Sequence, residues 1–575
     1  MKKRVLAWAL LLCMLAALFP SAAFADHSVI LSGSEEAPDD FLFVPEDESE
    51  AVILSGSEGS QDDEEAPVEA ESGTEAVADE PAGSVIAYGD CGRNLYWELD
   101  DVGTLTIFGS GEMWDFNPAN TVPWRQYNER IMSISLPVYL TSIGEYAFSN
   151  CIGLTCISIP SKVARICNNA FFGCNSLKSI TVSEENPVFM SINGVLFSKD
   201  GTLLLYAPSG INGTYVVPSC VTIIGDYAFN DCSNLTSIEL PMGLASIGDH
   251  AFWRCKSLSN ILFSASLTSI GRYAFSNCYS LTSIELPASV TSIGDGAFHN
   301  CSSLTTITLS AALTSIGFVT FSGCSGLTSI TLPAGLTSIA NSAFSGCSSL
   351  TSITLPDDLT RIDFDAFYNC SSLMSITLPT GVTSIGNRAF SGCSSLTNIL
   401  LPAGVTKIGK NTFSGCSSLT SVLIPVGVTS IGFDAFYNCS SLADVYYGGT
   451  EAQRTERESS GWIINGNDAL FNATWHYGVV IPDYDCVLPV SLTVIEEEAM
   501  AGCAFEAVRI PDGATVIGTK AFAESPNLEY VYIPASVTTI AADAFYQVTG
   551  LTIIGKVGSA AESFASAQGF TFIEG

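Results

Sequence analysis

Cysteine is the residue whose number and spacing in this chain most invite chemistry. Of nineteen cysteines, thirteen fall at positions 151, 174, 232, 255, 278, 301, 324, 347, 370, 393, 416, 439 and 503, mostly 23 residues apart. A ladder of thiols suggests disulfides or bound metal. If consecutive cysteines stack one strand spacing apart, ~4.8 Å, their Cα atoms lie within disulfide reach. Their Cβ vectors then run parallel, however, and each thiol has two equivalent neighbours. Ser525 and Val548 occupy the same slot in the last repeats, so the slot wants a small buried side chain rather than a sulfur bond. A metal array needs companions at ligand spacing, and no histidines accompany the ladder. The ladder therefore reads as core packing. On that reading Cys324→Ser costs more than Cys324→Ala, because it sets a hydroxyl in an apolar stack. Five off-ladder cysteines, Cys91, Cys156, Cys167, Cys220 and Cys486, leave room for one disulfide in an oxidising exterior, with no assignment from sequence.

The other reactive residue types form no constellation. The four histidines are His27 in an acidic stretch, His250 and His299 at variable repeat positions, and His476 in a non-repeat segment. Serines and threonines such as Ser283 and Thr308 recur at fixed positions, which marks polar outer rows rather than nucleophiles. No G-x-S-x-G elbow, phosphate-cradling loop or H-E-x-x-H is present. Asp363 and Asp365 are paired acids, but a carboxylate pair works only in a cleft, and a repeat face offers none. Sequence thus predicts no catalytic residue, no cofactor and no metal.

The elements that position these side chains are set by one period. A phenylalanine recurs at 229, 252, 275, 298, 321, 344, 367, 390, 413 and 436, preceded by Phe148 and Phe171 and followed by Phe522 and Phe545. Such a period marks a repeat architecture. The unit Leu281 to Cys301 reads LTSIELPASVTSIGDGAFHNC. Leu281, Ile284 and Leu286 point inward from a strand, which Pro287 stops because it has no N–H to donate. Val290 and Ile293 point inward again, Gly294 allows a sharp turn, and Ala297, Phe298 and Cys301 complete a short helical or 3₁₀ turn. Each unit is one coil of a solenoid, and the chain holds about 16 of them. Phe298 and its counterparts should stack into an aromatic spine.

The pattern L-x-x-I-x-L-P-x-x-V-T-S-I-G-x-x-A-F-x-x-C resembles the BspA-like leucine-rich repeat, a class common in bacterial surface proteins. The resemblance runs from Tyr88 to the C-terminus. CGRNLYWELDDVGTLTIFGSGEMWDF with Pro123-Trp124 looks like the family's β-rich cap, and NPVFMSINGVLFSKDGTLLLYAP like its β-hairpin insertion. The resemblance implies an α/β repeat solenoid: a leucine-rich-repeat array with a continuous parallel sheet and short helical or 3₁₀ turns on the opposite side. The expected divisions are a cap at 84–128, repeats at 129–447 with the hairpin near 183–217, an insertion at 448–478, repeats at 479–557 and a C-terminal cap at 558–575.

Ahead of the array, Lys2, Lys3 and Arg4 precede an apolar run and the small-x-small site Ala23-Phe24-Ala25. Residues 1–25 read as a signal peptide cut after Ala25, the run being short of the ~20 residues a membrane anchor needs. Residues 26–83 read as a disordered acidic spacer: from Asp26 to Glu80 there are 19 acidic residues and no Lys or Arg. Calcium binding there is the weaker reading, since no loop has the Asp-x-Asp-x-Asp-Gly order. The net charge of −36 argues against nucleic acid and against docking on anionic lipid. Secretion to the bacterial surface, with no membrane insertion of the mature chain, is the expected localisation.

What remains is surface. Positions that change between coils carry Tyr227, Trp253, Tyr273, Phe318, Phe364, Tyr368, Phe433 and Tyr437. These aromatics suit contact with an extracellular protein or glycan, or they pack locally over the turns. Two functions stay open: an adhesin-like binding protein, as the resemblance implies, or a structural envelope component without a specific ligand.

Overall fold

The computed structural model describes residues 83–117, 122–167, 169–463, 465–477, 486–488, 492–503 and 505–575. Residues 1–82, read from sequence as a signal peptide and all but the last residue of an acidic spacer, lie outside the described residues. Three antiparallel strands, Val85–Gly92, Leu95–Asp100 and Thr104–Gly109, form the N-terminal cap, and the third pairs in parallel with Ser133–Ser135. This strand converts an antiparallel sheet into the parallel stack that follows. Trp124 seals the end of the interior. It is fully buried, stacks on Phe148 at 6.0 Å, meets Trp97 edge-on at 5.6 Å and donates its indole N–H to the Ala147 carbonyl at 3.1 Å.

Beyond the cap the chain is a parallel β-solenoid of about 18 turns. In one coil Ser283–Glu285 pairs in parallel with Thr306–Thr308, Ile284 opposite Ile307 and both buried. The same coil holds a second strand, Ser292–Ile293, paired with Ser269–Ile270. The one continuous sheet expected from sequence is thus two ladders on separate sides, each broken into segments. The cause lies in T-S-I-G, which also alternates out and in, while the prolines and glycines that end each strand leave few ladder bonds per coil. The count exceeds 16 because flanking segments add turns. Thr474–Tyr477 pairs in parallel with Asp444–Tyr447, and Thr571–Glu574 with Thr552–Gly555.

The third side of each coil corrects the expectation of helical or 3₁₀ turns. It is a run of tight turns whose alternate N–H groups leave the coil, while those of Ala297, His299 and Cys301 bond three residues back. Gly296, Phe298 and Asn300 donate to the carbonyls of Phe318, Thr320 and Ser322 in the next coil, at 2.8, 3.0 and 2.7 Å. A helix would spend those donors internally. Left-handed residues on either side of the phenylalanine, Gly296 at φ 63° and Asn300 at φ 56°, turn the donors along the solenoid axis.

From Phe229 to Phe436 the buried phenylalanines stack with ring centroids 5.0–5.8 Å apart. Where the period breaks, other rings take over. Tyr206, at the end of the hairpin strands Phe189–Ile192, Val195–Ser198 and Leu203–Tyr206, lies 5.5 Å from Phe171, and Tyr215 lies 5.6 Å from Phe229. Past Phe436, Tyr447, Trp462 and Trp475 form the next aromatic cluster, under the helix Glu451–Ser459.

A last five-stranded sheet contains Cys486–Val487, Ala507–Arg509, Tyr530–Ile533, Thr552–Gly555 and Thr571–Glu574, and the helix Ala560–Gln568 packs on it. This C-terminal array folds back on the main one. Leu400 and Ile554 both lie beside the chain end at Gly575, and the outward-facing Leu423 and Ile554 are buried.

Candidate binding face

The cysteine ladder proves to be more than packing. Each thiol from Cys255 to Cys439 donates to the carbonyl of the preceding coil's phenylalanine, Cys324 to Phe298 at 3.1 Å and all nine at 3.1–3.2 Å. Sequence reasoning missed this bond. Its one signal was Ser525, whose hydroxyl reaches the Met500 carbonyl at 3.4 Å from the same slot. A hydroxyl there has an acceptor waiting, so the expected penalty for Cys324→Ser is overturned. Burial pushes the Cys324 thiol up to about 12, which keeps it protonated and removes it as a nucleophile or metal ligand.

The off-ladder thiols take no common place. All seventeen described cysteines are free; Cys91 is buried, Cys156 and Cys220 are exposed, and Cys486 falls outside the described side chains. Cys167 is half-buried, 3.1 Å from an Arg165 nitrogen. The acids Asp363 and Asp365 turn to different arginines, Arg361 at 2.8 Å and Arg388 at 3.2 Å. His476 pairs with Asp444 at 2.8 Å. Among the described residues no cluster of His, Cys, Asp or Glu could hold a metal, and no helix is long and apolar enough to cross a membrane.

The concave feature of the array is an open groove of about 480 Å³ over Gly225, Gly248, Gly271 and Gly294. Glycine is needed there because the coils touch. A Cβ on Gly271 would lie 2.5 Å from the Gly248 carbonyl carbon. The groove is a by-product of that close approach, and the aspartates that line it, Asp226 and Asp249, are spent on backbone N–H groups of the next coil.

The eight surface aromatics fall into different settings. Tyr227, Trp253 and Tyr273 are brought together around His250, which stacks on Tyr227 at 4.7 Å and Tyr273 at 5.3 Å and meets Trp253 edge-on at 6.2 Å. Arg254 covers Trp253 at 4.3 Å. All three aromatics are half-buried and their faces are occupied, and His250 is held neutral because burial lowers its pKa. Phe364 and Tyr368 share Arg388, whose guanidinium lies 5.5 and 4.5 Å from their rings. Phe433 and Tyr437 repeat that sequence in a later coil. The arginine is not repeated there: 69 residues on from Arg388 stands Arg457, which lies over Trp462.

Phe318 and Phe433 hold the first position after I-G, Phe364 the same position after Ile362-Asp363, and they are 46, 46 and 41 % exposed. Elsewhere this position often carries Asp or Asn, whose side chain caps the next coil. Asp226 accepts from the Asp249 N–H at 2.8 Å, Asp249 from Arg272 at 2.7 Å, Asp295 from Phe318 at 2.9 Å and Asn387 from Lys410 at 2.8 Å. A phenylalanine makes no such cap. These three coils forgo a structural hydrogen bond and show an apolar ring to solvent.

With the coil geometry established, the family follows from the comparison of sequences. The model described as the BspA type leucine rich repeat region (6 copies) matches residues 126–204, 213–328, 314–443 and 484–564. The chain belongs to the BspA-type leucine-rich repeat family. Solved structures similar to it include a leucine rich cell surface protein from Faecalibacterium prausnitzii, 27 % identical over 67 % of this chain and 98 % of that one, TM-score 0.34. A leucine-rich repeat protein from Bacteroides ovatus is 23 % identical over 84 % of this chain and 98 % of its own, TM-score 0.34. One from Eubacterium ventriosum is 24 % identical over 54 % and 95 %, TM-score 0.36. Among curated proteins there is no significant match.

Proposed function

We propose that this BspA-type protein is a non-enzymatic, adhesin-like binding protein of the bacterial exterior, contacting an extracellular protein or glycan through Phe318, Phe364 and Phe433, with Tyr368 and Tyr437 beside them. The observation that carries the reading is the replacement of a coil-capping Asp or Asn by an exposed phenylalanine at three coils of one row. Residues that give up a local structural bond without a packing gain are where function is expected. Each ring stands on a coil fixed to its neighbours by backbone hydrogen bonds, so little ordering entropy is lost on contact. Phe318 and Phe364 lie two coils apart, about 10 Å at ~4.8 Å per coil, a spacing that suits an extended ligand lying along the array. Export follows from the signal peptide, and exported protein should begin at Asp26 on N-terminal sequencing.

A structural envelope role is the second reading. It is favoured by Tyr227, Trp253 and Tyr273, whose rings are spent on local packing. A screen of matrix proteins and glycans with the full chain separates the two. On the binding reading, a ligand is captured and the combined change of Phe318, Phe364 and Phe433 to Ser abolishes capture while the melting curve stays in place. Capture that survives the triple change removes the phenylalanines from the site. No capture by any arm of the screen leaves the envelope reading in possession.

A further inference from the structure

The sequence FDAFYNC stands in two coils, at Phe364 and at Phe433, and the two copies differ in what covers them. In the first copy Arg388 reaches over from the next coil. Its guanidinium lies 5.5 Å from the Phe364 ring centroid and 4.5 Å from that of Tyr368, and its Nε is 3.2 Å from an Asp365 carboxylate oxygen. Two rings and a carboxylate thus hold one guanidinium. Ring faces and carboxylate together replace part of the hydration that the cation gives up.

The insertion gives the second copy a different neighbour. The Asp365 N–H donates to the Asn387 carbonyl at 3.1 Å, and Arg388 follows; the Asp434 N–H donates to the Asn465 carbonyl at 3.2 Å, and Gly466 follows. Both following residues are left-handed, Arg388 at φ 58° and Gly466 at φ 87°. Gly466 therefore stands where Arg388 stands and brings no side chain. A Cβ there would land on the Asp434 carboxylate, so this group leans toward the place where the arginine side chain begins in the first copy. Among the described residues no Lys or Arg pairs with Asp434 or lies over Phe433 or Tyr437. Exposure follows suit. Tyr437 is 51 % exposed where Tyr368 is half-buried under its arginine, and Asp434 is half-buried where Asp365 is buried.

We propose that Phe433, Asp434 and Tyr437 form a binding site for an arginine side chain of a partner protein. Within the adhesin-like reading, on which the assignment rests, such a site selects an exposed basic segment of a protein over a glycan, which carries no guanidinium. The copy at Phe364 shows these three residue types, on the same backbone, accepting that group. Arginine is preferred to lysine on shape and hydration. A planar guanidinium lies on a ring while its N–H groups reach a carboxylate, and it is more weakly hydrated than an ammonium. The net charge of −36 draws a basic partner to the array, and the site fixes where its arginine lodges.

Saturation-transfer NMR on the full chain tests the site with acetyl-arginine amide as the probe, in about 0.15 M salt to screen the general acidic surface. Saturable binding of the arginine probe is expected. Acetyl-lysine amide should bind at least about fivefold more weakly, and acetyl-citrulline amide, the neutral isostere, should not bind. Asp434→Asn and, separately, Tyr437→Ser should each weaken the arginine probe at least about tenfold while the melting curve stays in place. No binding, equal binding of the three probes, or binding unchanged in both variants overturns the proposal. Its failure is distinct from failure of the adhesin-like reading. A macromolecule captured through Phe318, Phe364 and Phe433 while the arginine probe does not bind sinks the arginine site alone. Arginine binding lost in both variants, with nothing captured in the screen, upholds the site and sinks the adhesin-like reading.

Discussion

Cutting Phe298 to alanine tests the coil geometry at its centre. The ring is fully buried and stacked on both sides, 5.5 Å from Phe275 and 5.8 Å from Phe321. Losing about 150 Å² of buried apolar surface at ~25 cal/mol per Å² removes about 4 kcal/mol, within the ~3–5 kcal/mol typical of such truncations. The cavity cannot collapse easily, because the Phe298 N–H is bonded to Thr320 and its carbonyl accepts from both Cys301 and Cys324. In a quasi-one-dimensional array the loss falls on adjacent coils. Amide exchange and protease cleavage should therefore rise between about Leu281 and Ile330, while the ends of the array keep their protection. Phe318→Ala, at a 46 % exposed ring, should cost under about 0.5 kcal/mol. Tyr273→Ala should fall between them, since its ring leans on His250. Equal and mild effects at Phe298 and Phe318 would refute the spine.

Two further outcomes are expected. Cys324→Ala should cost roughly 1 kcal/mol through a small cavity, and Cys324→Ser should be the milder of the two on thermal unfolding, since its hydroxyl can keep the bond to the Phe298 carbonyl; the reverse order would show the S–H donor to be idle. The Asp365 carboxyl is pushed up to about 6 by burial, against the pull of Arg388. Protonation therefore stabilises its coil, and that support is lost as pH rises through about 6. Asp363, raised in the same direction by burial, adds to the trend. Amide protection in the coil from Arg361 to Phe390, taken relative to the intrinsic exchange rate at each pH, should fall from pH ~4 to ~7 in the unaltered chain and change much less in Asp365→Asn.

How much of this was legible depends on whether a feature repeats. Ile284, Phe298 and Cys301 recur at the same interval as their counterparts in every coil, so their inward orientation could be read from spacing alone, and the structure buries all three. The tight turns were not legible. The cue was the Asn or Gly two places after most of the phenylalanines, as at Asn300 and Gly323, both left-handed. A helix and a run of turns bury the same phenylalanine and cysteine, so hydrophobic pattern cannot tell them apart. Of the surface aromatics, Tyr227, Trp253 and Tyr273 could not be separated from Phe318 by type, because what distinguishes them is His250, which fills the space between their rings. The fold-back was written in the sequence as Leu400 and Leu423 at outward positions, but an outward apolar residue names no partner until the chain end at Gly575 is in place beside Leu400.

The repeat also explains why a cysteine, rather than a serine or an alanine, holds the slot in so many coils. The phenylalanine carbonyl already accepts one backbone bond from its own coil, as Phe298 does from Cys301 at 3.3 Å. A second donor is welcome there but not required. An alanine fills less of the space and gives no donor. A serine gives a better donor, yet its hydroxyl loses more on leaving water. The thiol is close to an apolar side chain in size and burial while still offering a weak S–H. Repeated in nine successive coils, a small advantage at one position becomes a property of the array. The same logic holds in reverse for the exposed row. A phenylalanine in place of a capping Asp or Asn costs one coil a little, and the stiffness of its neighbours carries that cost. An array built this way can vary its surface coil by coil without losing its interior, which is the condition for a binding face to evolve on it.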